Sequence, residues 1–111
     1  EQEGGLLFKD SLFIKTNSRL VRVATENILY IEAKGDYALF VTEDKGHIIN
    51  SNFKKIEERL NPDVFIRIHR SYIVNVNKVI DIEDNSLLIK DKVLPISRGQ
   101  KSAFLKKLDM I

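Results

Sequence analysis

An apolar alternation that stops at three polar residues constrains this chain more than any other feature of it. Phe65-Ile66-Arg67-Ile68 reads as the start of a sheet strand, and the pattern breaks at His69-Arg70-Ser71 before Tyr72-Ile73-Val74-Asn75. Breaking an alternation sacrifices burial and adds nothing to a core, so the cluster is either a loop or a surface that touches something. The device recurs at Pro95-Ile96-Ser97-Arg98, where an apolar strand ends in Ser-Arg and a basic amphipathic pattern follows. Two donor-rich junctions on stiff elements point to anion recognition rather than to bond-making chemistry.

Short strands surround these junctions. Residues 11–17 and 20–24 read as a hairpin turning at Asn17-Ser18-Arg19, and residues 28–33 and 37–42 as strands joined at Lys34-Gly35-Asp36. Asp44-Lys45-Gly46 turns into His47-Ile48-Ile49-Asn50, which completes a meander. The period then changes. Phe53, Ile56 and Leu60 recur at helical spacing, Ser51 or Asn52 can cap the start, and Asn61-Pro62 stops the run, which predicts a helix over 52–60. Apolar strands are expected at 64–68, 79–82, 87–89 and 93–96, with Asp84-Asn85-Ser86 and Asp91-Lys92 as turns. A second helix is expected over 98–108, capped by Ser97, with Phe104, Leu105 and Leu108 on one face. The fold class is therefore mainly β, with a short middle helix and a C-terminal one.

With 111 residues, 43% of them hydrophobic and 31% charged, the chain suits one globular domain. Residues 1–10 read as a linker or remnant, and residues 11–111 as the domain. No apolar run approaches the ~18 residues that a membrane span needs, and there is no signal-peptide pattern. The absence of cysteine excludes disulfides and thiolate metal sites. A net charge of +2 is too small to identify a partner, but its distribution is uneven. Arg67, Arg70 and Lys78 share one acid-free stretch, and Arg98, Lys101, Lys106 and Lys107 share another, while Asp81, Glu83 and Asp84 cluster elsewhere.

His69 and Ser71 stand two residues apart, where a hydrolase would pair a base with a nucleophile. Side chains on one strand rarely aim that way, and no glycine-rich nucleophile elbow is present, so a structural histidine fixing a turn is the stronger reading. His47 is the other histidine, and no motif joins the two as metal ligands. Arg70 and Arg98 each follow a strand and have no acid within three residues in sequence. A guanidinium fork matches the O6/N7 edge of guanine or two phosphate oxygens. Ser97 caps a helix whose free N–H groups suit a phosphate. Tyr37 is either a core strand residue or an aromatic tip on a hairpin. Asn75 and Asn77 bracket a turn and are read as serving the backbone.

Taken in order, Ile28-Leu29-Tyr30-Ile31-Glu32-Ala33, the block from Phe65 to Asn75, and Ile96-Ser97-Arg98 resemble the LytTR DNA-binding domain, from about Ser11 to Leu108. This family supplies the output domain of many bacterial two-component response regulators. The resemblance implies elongated antiparallel β-sheets with short helices, binding duplex DNA through loops that enter successive major grooves. It places base contacts near Tyr37, on Arg70 and on Arg98. His69, Ser71, Asn75, Lys78, Ser97 and Lys101 become DNA-backbone or supporting groups. It further implies a cytoplasmic transcription regulator that is not an enzyme and uses no cofactor or metal. Its partners would be double-stranded DNA, a receiver domain in the same full-length protein, and a second copy on tandem DNA sites. Residues 1–10 hold no acidic phospho-accepting pocket of the receiver kind. The competing reading is a β-rich protein-interaction module whose basic face meets an acidic partner.

Overall fold

The computed structural model describes residues 11–111, so residues 1–10, read above as a linker, lie outside the described residues. Ser11–Thr16 (β1) and Arg19–Ala24 (β2) form the expected hairpin, with Ser11 opposite Ala24 and Thr16 opposite Arg19. Asn17 turns it at φ 56°, a left-handed conformation that asparagine tolerates better than most residues. After a 3₁₀ turn at Thr25–Asn27 come Ile28–Lys34 (β3), Tyr37–Thr42 (β4) and Gly46–Ile49 (β5).

Helix α1, Phe53–Arg59, starts at Asn52, whose side chain accepts from the N–H groups of Lys54 and Lys55 at 2.8 and 3.3 Å. That cap satisfies two donors that the first turn would otherwise leave open. Phe65–His69 (β6), Tyr72–Asn75 (β7), Val79–Glu83 (β8), Ser86–Ile89 (β9) and Lys92–Pro95 (β10) follow, and helix α2 covers Arg98–Lys106.

The alternation and helical periods place every expected element to within two residues. One strand goes beyond them. The pattern predicts no separate strand after His69-Arg70-Ser71, yet β7 lies inside the large sheet, between β3 and β6. Its consecutive residues Ile73 and Val74 are both fully buried, one on each face, so no polar–apolar alternation marks it.

The large sheet is antiparallel throughout, in the order β5-β4-β3-β7-β6. Strand geometry sends Ile31, Phe40, Phe65 and Ile73 to one face, where Ile14 and Val23 of the β1–β2 hairpin and Ile56 and Leu60 of α1 cover them. Tyr30, Ile66, Ile68 and Val74 point to the other face. There they meet Leu87, Ile89 and Leu94 of the three-stranded sheet β10-β9-β8 and Phe104 of α2. Phe104 is fully buried, and burial of such a side chain contributes about 1.5–3 kcal/mol. Neither cover could be dry on its own. Each element set is amphipathic, and the large sheet between them is what both need.

Candidate nucleic-acid interface

Three segments distant in sequence meet at one end of the large sheet. Strand β3 runs towards the Gly35-Asp36 turn, and β7 begins beside it, with Glu32 opposite Tyr72. A backbone hydrogen bond from Ala33 N–H to Ser71 O, 2.9 Å, ties that turn region to the turn between β6 and β7. A second, from Ser97 N–H to Ile68 O at 2.8 Å, ties the start of α2 to the end of β6. Tyr37, Arg70 and Arg98 therefore project from neighbouring segments, and all three are exposed.

The β6–β7 turn is held rigidly. Arg67 donates from Nη2 to Arg70 O at 2.9 Å and from Nε to His69 O at 3.3 Å. Its Nη1 reaches Glu57 Oε1 of α1 at 2.8 Å, and its guanidinium carbon lies 4.9 Å from the centre of the Phe53 ring. One arginine thus anchors the turn's carbonyls to a helix, and Arg70 inherits a fixed place. The sequence pattern grouped Arg67 with the basic residues and did not assign it this role. Its signal was present only as an arginine on the face that α1 covers.

His69 accepts at Nδ1 from the Ser71 backbone N–H, 3.1 Å away, so the group it meets on Ser71 is the backbone amide rather than the hydroxyl. The two residues are not on one strand; Arg70 and Ser71 form the turn. A neutral imidazole accepting at Nδ1 carries its proton on Nε2 and holds the turn closed. Its ring packs against Tyr72, with 5.6 Å between centroids, and Tyr72 meets Tyr30 edge-on at 6.1 Å. The Tyr72 hydroxyl donates to Glu32 Oε2 at 3.3 Å. Burial first, and then the Glu32 carboxylate, push the Tyr72 phenol above its ordinary value, so it stays a donor.

At the start of α2, Ser97 occupies the capping position, and its carbonyl accepts from Gln100 and Lys101 N–H, each at 3.1 Å. Its hydroxyl makes no cap bond to the helix, which leaves that group free for a ligand. Neither Arg70 nor Arg98 is in an ion pair with any described residue. Lys101 gives one N–H to Asn85 Oδ1 at 3.2 Å and keeps two further donors.

Asn75 and Lys78 are not brought to this end. Asn75 closes β7 at the opposite end, 1% exposed, donating to Ile28 O at 2.9 Å and accepting from Asn77 N–H at 3.0 Å. Lys78 lies just beyond it and pairs with Glu43 at 3.1 Å. Among the described residues, no group of histidine, cysteine, aspartate and glutamate is placed to hold a metal ion.

Comparison with known proteins agrees with this architecture. The profile of the LytTr DNA-binding domain family matches residues 18–109. A solved LytTr DNA-binding domain from Bacillus cereus superimposes with a TM-score of 0.77 at 29% identity, covering 92% of this chain and 99% of that one. The heme-containing CO-sensing transcriptional regulator RcoM 2 of Paraburkholderia xenovorans (strain LB400) is 29% identical over 109 residues, 92% of this chain and 40% of its own. The transcriptional regulatory protein YpdB of Escherichia coli (strain K12) is 28% identical over 102 residues, 86% of this chain and 42% of its own. The chain spans about two fifths of the length of these curated relatives. A profile matched over most of the sequence and a fold shared along nearly its whole length place this chain in the LytTR family, the DNA-binding domains of transcriptional regulators.

Proposed function

We propose that this domain reads a specific duplex sequence with the end of the large sheet that carries Tyr37, Arg70 and Arg98, entering the major groove with its turns rather than with a helix. The observation that carries this reading is the pair of backbone hydrogen bonds, Ala33 to Ser71 and Ser97 to Ile68, that gather the three segments on one end. Arg70 and Arg98 are exposed there without a carboxylate, so their forks remain available for a base edge. The Ser97 hydroxyl, the first N–H groups of α2 and the Lys101 ammonium suit phosphate oxygens. His69 and Ser71 keep the Arg70 turn in shape, while Asn75 and Lys78 support the sheet from its far end.

In the full-length protein the domain serves as the cytoplasmic output half of a response regulator, joined to a receiver domain, and binds tandem sites as a dimer. The greater length of the relatives supports a further regulatory domain.

Duplexes selected from a random pool, and scrambled versions of them, test the assignment at several salt concentrations. Arg98→Ala is expected to lose about 1–3 kcal/mol on the selected site and to flatten preference at one base pair. Lys101→Ala is expected to weaken all duplexes alike and to reduce the salt slope by about one unit. Equal weakening of both duplexes by Arg98→Ala would make Arg98 a phosphate contact and overturn its assignment.

A further inference from the structure

Apart from the last two residues, the exposed large hydrophobic side chains among the described residues fall into two groups. Phe13, Leu20, Tyr37 and Ile48 belong to the hairpin β1–β2 and to strands β4 and β5, whereas Ile80 and Val93 belong to the small sheet beyond the other face of the large one. Phe13, 57% exposed, and Ile48, 55% exposed, line with Tyr37 an open trough of about 740 Å³ between β1, β5 and α1. Lys15, Lys55 and Arg59 also line it, no carboxylate does, and none of the three is in an ion pair with a described residue.

A phosphate backbone would answer the cations and leave the apolar floor wet. A plain apolar partner would cover the floor and desolvate the cations without a counter-charge. What satisfies both is an apolar surface flanked by carboxylates.

The small sheet presents such a surface. Asp81 stands opposite Leu88 and Glu83 opposite Ser86 on β8 and β9, and Val93 of β10 stands opposite Leu88. Leu94 points inward and is buried, so by alternation Lys92 shares its side, and the outer side holds Asp81, Glu83 and Val93. Val93 is 67% exposed, and Ile80, at the register shift between Val79 and Asp81, is 60% exposed. Neither acid is in an ion pair with a described residue.

We propose that the outer face of the small sheet of one copy docks into the trough of the next, head to tail. A trough-to-trough pair would set Lys15, Lys55 and Arg59 against the same three residues, which repulsion disfavours. The two surfaces lie on opposite sides of the large sheet, so the contact is heterologous and propagates from copy to copy instead of closing a two-fold pair. Neither surface contains Arg70 or Arg98, and every copy keeps those two residues free, whereas Tyr37 lines the trough and is shared between this contact and the proposed DNA surface. The contact itself does not depend on DNA; only its use on tandem sites rests on the proposed function.

Sedimentation velocity of the 111-residue chain without DNA, over a concentration series at low and high salt, tests the contact. The sedimentation coefficient is expected to rise with concentration at low salt and to rise less at high salt. Lys55→Glu with Arg59→Glu, or Asp81→Lys with Glu83→Lys, is expected to raise the concentration needed by at least about tenfold. An equimolar mixture of the two double variants should assemble again, because each supplies the surface that the other has reversed. Matching thermal melts of the variants keep misfolding out of the comparison. A coefficient that stays flat for the wild-type chain, or a mixture no more associated than its components, overturns the proposal. Neither result bears on base reading by Arg98, which the Arg98→Ala isotherms test separately.

Discussion

The two ends of the large sheet are built from the same kinds of residue and are finished in opposite ways. At the end that carries Arg70 and Arg98, these two arginines stand exposed with no ion pair to a described residue, while Arg67 and His69 hold the turn. At the other end three prominent polar groups are answered. Asn75 bridges Ile28 and Asn77, Lys78 meets Glu43, and Lys90 donates to the Glu43 carbonyl at 2.9 Å. Arg70 and Lys78 belong to one acid-free stretch of sequence, yet only Arg70 is acid-free in space. A run of like charges in a sequence is not yet a charged surface. Partners arrive from other strands, and they decide which charge is spent within the fold and which is left for a ligand.

The largest expected effect probes what the end that carries Arg70 and Arg98 stands on. Phe104→Ala should cost about 3–5 kcal/mol of stability, because it empties the contact that seats α2 and hence Arg98 against the sheet. Urea unfolding measures it, and a loss below 1 kcal/mol would mean that α2 is held by something other than this core. At the far end, Asn75→Ala leaves the Ile28 carbonyl without its donor and should cost about 1–3 kcal/mol. Its preference for a selected over a scrambled duplex should survive. If preference is lost while stability holds, the contrast between the ends is wrong.

Arg67→Ala sharpens the comparison from the other side. Its ion pair with Glu57 is partly solvent-exposed and contributes at most about 1 kcal/mol to stability. The released β6–β7 turn should nonetheless flatten preference at the base pair proposed for Arg70, as duplex isotherms would reveal. The smallest effect belongs to Lys78→Ala, whose pair with Glu43 is also part-exposed. Stability should fall by less than about 1 kcal/mol, with the salt slope of DNA binding unchanged. A slope reduced by about one unit would return Lys78 to the phosphate contacts.

By itself the sequence determined the strand and helix periods, the turns, the starts of both helices, and the two donor-rich junctions. It left Ser51 and Asn52 open as the first cap and expected a Ser97 cap whose hydroxyl bond the structure does not form. The periods, turns and junctions are local properties, written in spacings of two and three to four residues and in turn chemistry. The blocks around Ile28, His69 and Ser97 also carried the family resemblance. Tertiary structure alone decided the rest. Strand β7 escaped the pattern because burial on both faces removes the alternation that marks a half-exposed strand. Arg67 became the clamp of a turn because Glu57 and Phe53 reach it from a helix that precedes it in the chain. Asn75 and Lys78 were drawn away from the end that carries Arg70 and Arg98 because β7 runs from one end of the sheet to the other, carrying residues only a few positions past Arg70 to the opposite side. Antiparallel strands turn neighbours in sequence into opposites in space, and no spacing rule along the chain records which partner waits there.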